Sequence, residues 1–331
     1  LTKYEYKLLK RCSKFTLIDL LISSTAYNKK LLKILDLDLE EGFEYRIDLA
    51  NKKVLKKEKS FVNETIYLYE CANRLLQIAF IKERIFYYTQ VLNLLADDIV
   101  VVLPDESYAS YLKLFDHENY FNYTMGLPLV NTSVIKALQA MITYKEEGNF
   151  QNKDRLSNIN TKYQEYLKYL DTHYSQEVTN EQFKKDLEQL FEEEKFNIKK
   201  ILLEELEKIP YAPAYKELLL YKDKLKLFLN TISTLTIDDK KGGKITVMSI
   251  LETINISFKG VIVIDFNEGI VPKSNDKDLY LNSTLKEKIG LFSNYDKMQL
   301  QQHYYHRLFN KSQVVSISYT NENNALPSKF L

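Results

Sequence analysis

Tryptophan is absent from this chain, and glycine (8), proline (6), histidine (4) and cysteine (2) are scarce for 331 residues. Each shortage excludes something. Two isolated cysteines, Cys12 and Cys71, cannot form a disulfide framework and point to a reducing, cytoplasmic compartment. They offer no zinc pair either, and His303 and His306, at i, i+3 on an expected helix, read as a packed or solvated helix face. No G-x-x-x-x-G-K-[ST] and no G-x-G-x-x-G occurs, so the chain has no phosphate-cradling loop, and no cofactor is expected in it. The longest apolar runs, such as Ile99 to Leu103 and Gly260 to Ile264, are strand-sized, so no membrane partner is expected. No basic, apolar, small-residue leader opens the chain, which argues against secretion, and Leu1 in place of Met reads as a piece of a longer protein. Charge of one sign is also missing: 46 basic against 45 acidic residues leaves +1, which excludes a polycation but not a local basic groove.

What remains is ordinary for a soluble globular protein, with 45% hydrophobic and 27% charged residues. The length fits two domains, or one domain interrupted by another. The abundance of Lys, Ile, Asn, Leu and Tyr reads as A/T-rich coding bias. Patterning predicts a helix over Lys3 to Cys12, strands over Phe15 to Leu21 and Tyr45 to Leu49, and a helix from Asn28. Lys52, Lys53, Lys56 and Lys57 read as a solvated turn. A long amphipathic helix is expected over Glu70 to Ala96, then a buried strand at Ile99 to Leu103, then a helix opened by Pro104-Asp105-Glu106. From about Tyr144 to Leu235 nearly everything is charged or helix-forming, with a break at Pro210 to Pro213. Strand grammar returns at Lys244 to Ile250, Gly260 to Asp265 and Val314 to Tyr319. Helices are expected from a cap near Ser283 to Gly290, and over Tyr295 to Asn310.

Two metal patterns fail on inspection. Asp36-Leu-Asp38-Leu-Glu40-Glu-Gly42 has its glycine one residue late for a calcium loop, and Ile47 stands where a glutamate is needed. Neither Pro104-Asp105 nor Glu193-Glu194-Lys195 completes a Mg²⁺-nuclease carboxylate set.

The C-terminal third carries a resemblance. Ile245-Thr-Val-Met-Ser-Ile250, then Phe258 through Val261 and Asn267-Glu268-Gly269 to Pro272, resembles motif V of UvrD-type superfamily 1 helicases. Val247, Met248, Ser249, Ile250, Phe258, Val261, Asn267, Glu268, Gly269 and Pro272 fall in register. Tyr69 to Gln77, Ile99 to Glu106, Asn122 to Gly126 and the ending Ala325 to Leu331 are similar to segments of AddB-type subunits of bacterial helicase–nucleases. The resemblance implies an α/β fold, a RecA-like parallel-sheet helicase domain (2A) interrupted by an all-helical domain (2B). Residues 1–44 would be the tail of a preceding RecA-like domain, 45–145 and 241–331 would be 2A, and 146–240 would be 2B.

Departures from the pattern shape the implied function. The motif V histidine is Leu251, and A-K-G-L-E becomes Thr253 to Ser257. The motif IV arginine, expected beside Ile99 to Leu103, is replaced by Pro104-Asp105-Glu106, and motif VI retains only Arg307. Loss of an arginine finger costs about 10³–10⁵ in rate. The implied protein is therefore a catalytically inactive, helicase-like part of a double-strand-break repair subunit. It would work with a motor/nuclease partner of the AddA type, and a nuclease domain would follow Leu331. No residue is expected to be catalytic. Ser249 matches the DNA-facing threonine of motif V. Asn122 and Tyr123 lie beside a strand end, where Tyr123 is either a base-stacking face for weakly bound single-stranded DNA or a packed aromatic. Two other readings stay open: an ATP-driven helicase whose Walker A segment lies elsewhere, and a protein–protein scaffold with no DNA contact.

Overall fold

The computed structural model describes residues 3–60, 65–148, 161–212, 214–215, 217–237, 242–273, 285–286 and 291–331. The chain divides into two compact units, Leu1–Asn122 with Lys241–Leu331, and Tyr123–Lys240. The first is a mixed α/β body built on a parallel sheet flanked by helices. The second is largely helical.

The first unit opens with α1 (Lys3–Cys12), β1 (Asp19–Ser24), α2 (Lys29–Leu32), β2 (Phe43–Asp48) and β3 (Lys53–Lys59). The three strands form an antiparallel sheet in the order β1-β2-β3, over a core of Tyr6, Leu35, Leu39, Tyr45, Ile47 and Leu49. Two expectations are corrected here. The first strand starts at Asp19, and Phe15 and Leu17 are exposed. Of the lysine-rich stretch only Lys52 lies in a turn; Lys53, Lys56 and Lys57 belong to strand β3, held by backbone pairing from Phe43↔Lys59 to Asp48↔Lys53. A boundary between 44 and 45 would therefore cut through β2.

The main sheet comprises β4 (Ile66–Cys71), β5 (Ile99–Val102), β6 (Phe121–Tyr123), β11 (Ile245–Met248), β12 (Gly260–Val263) and β13 (Val314–Thr320). Its order is β4-β13-β12-β5-β11-β6, with parallel pairing from β4 through to β11. Strands covered on both faces read as continuous apolar runs, and β5 (Ile-Val-Val-Val) and β12 (Gly-Val-Ile-Val) are buried at every position. Val100, Val102, Val261, Val263, Val315 and Ile317 pack on one face with Tyr305 and Leu308 of the helix Asn294–Asn310. The other face meets α3 (Arg74–Phe86) and the turn after it. There Gln77 bonds Ser318 and Tyr88 bonds Ser316, each at 2.7 Å. A Cβ on Gly260 would stand 2.7 Å from the Tyr88 ring, so the ring's close approach requires glycine.

The helix expected over Glu70 to Ala96 is shorter, and β4 precedes it. Ile66-Tyr-Leu-Tyr-Glu-Cys pairs with β13, and Asn73 caps α3 by accepting the Leu76 N–H at 2.9 Å. Helix α4 (Tyr108–Leu114) follows β5. The helix expected from Ser283 to Gly290 falls almost entirely outside the described residues.

In the second unit α5 (Ser133–Glu147) and the helices Thr161–His173, Asn180–Leu190, Phe196–Lys208 and Tyr221–Ile232 share one core. The expected boundary at 145/146 is corrected. Val134, Ile135, Leu138 and Met141 of α5 pack in this core, so the helical body takes in residues from 123 onward. Nor is it purely helical: β7 (Leu127–Pro128) pairs with β10 (Thr236–Ile237), and β8 (Glu177–Val178) with β9 (Leu219–Leu220). No described helix is long and apolar enough to cross a membrane.

Candidate functional site

In open α/β sheets ligands bind outside the carboxyl ends of the strands. Here that edge carries a polar network. Arg74, the first residue of α3, lies just past the end of β4. Its guanidinium reaches Asp265 beyond β12, with Nε 3.0 Å from Oδ2 and an ion pair through Nη2. Nη2 also stands 3.2 Å from Asp105 Oδ2, beyond β5. Gln77 completes the cluster: its Nε2 donates to Asp265 Oδ1 and its Oε1 accepts the Asp265 N–H, both at 2.7 Å. The Tyr108 hydroxyl donates to the Arg74 carbonyl, and the guanidinium lies 5.1 Å from the Tyr108 ring centre.

Asp265 is buried and adopts φ +50°, a left-handed conformation that aspartate tolerates better than most residues. Burial opposes the Arg74 charge, but the bonds and charges of Asp265 and Asp105 outweigh it and raise the guanidinium's pKa. Burial pushes Asp105 up, but hydrogen bonds from Ser107 and Arg74 prevail and lower it. One cation thus ties two carboxylates at the carboxyl edge of the sheet. The arrangement is a closed lock rather than an open anion cradle. No cluster of three metal-ligating side chains occurs among the described residues.

The residues read in the sequence as resembling motif V are spread along this edge and below it. Val247 and Met248 are buried in β11, and Ile250 and Phe258 pack in the sheet core. Asn267, Glu268, Gly269 and Pro272 follow β12, and the first two anchor the C-terminal segment. Asn267 Nδ2 donates to Thr320 O (2.7 Å) and Leu326 O (3.1 Å), and Glu268 pairs with Lys329 at 3.3 Å. Gly269 takes φ +87°, and Pro272 is buried after a cis peptide bond. Ser249 is half-buried just past β11. Its N–H donates to Glu252, and its hydroxyl bonds no described residue.

The structure does not bring the three expected DNA contacts together. Gly242, before β11, lies against Asn122, so Asn122 and Ser249 stand at opposite ends of β11. Tyr123 is only 2% exposed, which leaves no ring face for a base; it is the packed aromatic of the two alternatives.

Arg307 lies elsewhere, on the helix Asn294–Asn310, where its Nη2 donates to Asn255 Oδ1 at 3.3 Å. One turn earlier His303 is buried, with Nδ1 2.9 Å from Thr25 Oγ1 and Nε2 3.3 Å from Asn28 Nδ2. The amide nitrogen is a donor only, so Nε2 accepts and Nδ1 carries the proton. Burial, with the nearby charges of Arg307 and His306, pushes the His303 pKa down to about 4. The sequence reading missed Arg74, Gln77 and Asp265. The available signal was local: polar residues immediately after buried strands, on the side where α/β folds place their sites.

No family model matches the chain, and no curated protein matches it.

Proposed function

We propose that this chain is the helicase-like, catalytically inactive part of an AddB-type subunit. In this reading the parallel sheet is a RecA-like 2A domain and the helical body is its 2B insertion. It holds single-stranded DNA weakly beside an AddA-type motor partner. The observation that carries the reading is topological: a parallel sheet whose chain leaves after β6 into a helical body and returns at β11. The Arg74–Asp265–Asp105 lock supports the absence of ATPase chemistry, because the cation at the carboxyl edge is already neutralised. The burial of Tyr123 reduces the expected DNA contacts to Ser249 and Asn122, which favours weak binding.

Titration with a labelled oligonucleotide tests this. With so few phosphate contacts, log K should fall only shallowly against log salt, by roughly −0.7 in slope for each phosphate that a Lys or Arg neutralises. Ser249→Ala should weaken binding about 5-fold, as for one lost hydrogen bond of about 1 kcal/mol. No binding at low salt would leave the scaffold reading in its place. ATP hydrolysis is expected to be absent with or without DNA. DNA-stimulated turnover abolished by Arg307→Ala would overturn the inactive-helicase reading in favour of a true motor.

A further inference from the structure

Inside the first unit, a cavity of about 720 Å³ lies between the three-stranded sheet with α2 and the helix Asn294–Asn310 with the loop at 254–255. Its size is that of a small-molecule pocket. Leu20, Ile22, Leu31, Leu32, Leu300 and Tyr304 supply an apolar wall, each half-buried. Four cations also line it, and three of them are already paired: Arg46 with Asp19 at 2.7 Å, Lys56 with Glu58 at 2.7 Å and Lys311 with Glu44 at 2.5 Å. Arg307 differs. Among the described residues no carboxylate comes within ion-pair distance of it, and its only side-chain bond is the one to Asn255. Burial lowers its pKa, and the nearby charge of Glu44, itself paired with Lys311, offsets that only in part. A second cavity of about 260 Å³ also has Arg307 and Lys311 in its wall, so the guanidinium stands between two open volumes.

We propose that the larger cavity binds an amphipathic anion, a carboxylate or phosphate head on an apolar body, with the head on Arg307 and Asn255 and the body along the leucine-rich wall. An anion fits where a cation does not. Glu44 and Glu58 are occupied by Lys311 and Lys56, and His303, uncharged, leaves Arg307 as the free charge. An apolar body fits because nine of the lining residues, Leu20, Ile22, Leu31, Leu32 and Leu300 among them, are aliphatic. The inference does not depend on the DNA reading, and failure of the oligonucleotide titration leaves it unaffected.

Calorimetric titration of the intact chain with decanoate and with decyl phosphate tests it, each kept below micelle formation, with decyltrimethylammonium and decanol as controls. At least one anion should bind a single saturable site. The cation and the alcohol should bind at least about 10-fold more weakly. Arg307→Gln should weaken the anion about 10-fold or more, Arg307→Lys should restore part of it, and Leu31→Trp, which fills the cavity, should abolish it. Far-UV circular dichroism of each variant separates loss of the site from loss of the fold. Equal binding of the cationic amphiphile, unchanged anion binding in folded Arg307→Gln, or no binding of either anion to the unaltered chain would overturn the proposal.

Discussion

Arg74→Met is expected to lower the unfolding free energy by about 3 kcal/mol, read as a shifted urea midpoint with an unchanged slope. The substitution keeps the aliphatic stem and removes the charge. Asp265, whose side chain is 2% exposed, would then remain buried with Gln77 as its only side-chain partner among the described residues. Removing one member of a buried pair costs about 3–5 kcal/mol, because the other charge is left uncompensated. The Arg74 side chain is 38% exposed, so water reaches the gap and the lower end of that range applies. Changing Asp265→Asn in the same chain removes the orphaned charge and keeps a residue that tolerates φ +50°. The double variant should therefore be more stable than Arg74→Met alone. A loss below about 1 kcal/mol in Arg74→Met, with no recovery in the double variant, would mean that the network is a solvated surface pair.

Stability should also fall as pH drops from about 6.5 towards 4, through His303. The imidazole is neutral in the fold because it is buried beside Arg307 and His306, and the Asn28 NH₂ that faces its Nε2 is held in place by Ser23 O and the Thr25 N–H. Protonation would set N–H against N–H and place a cation beside Arg307 and His306. With a folded pKa of about 4 against 6.5 for the free side chain, the unfolded chain binds more protons than the folded one in this window. Stability is full above the unfolded value and is lost progressively as pH falls to the folded one. The ceiling is about 3 kcal/mol. Asp296, packed against Lys30 and Ser293, has its pKa lowered and adds a loss only at more acid pH. His303→Leu should be less stable than the parent at neutral pH, through lost hydrogen bonds, yet show a flatter dependence between about pH 4.5 and 6.5. An equally steep dependence in that variant would assign the effect to other groups.

Order along the chain determined the elements whose side chains carry their own period. β5 and β12 were legible because an unbroken run of β-branched residues has few uses other than a strand covered on both faces. The helix Lys3–Cys12, the helix ending at Asn310 and the strand from Val314 were legible from apolar spacing. Tertiary structure decided the remainder. Ile66 to Cys71 became a strand because β13 offered an edge, and Lys53 to Lys59 because β2 did. Helix α5 joined the helical body because its apolar stripe packs into the same core as Phe183 and Phe228, which no local pattern records. The site went the same way. Arg74 and Asp265 are 191 positions apart and meet only because β4 and β12 both end at one edge of the same sheet. Ser249 and Asn122 were drawn apart by the length of β11, and Tyr123 was taken into the interior. Periodicity is a property of neighbours in the chain, whereas a network across strand ends is fixed by strand order, which depends on every packing interface at once.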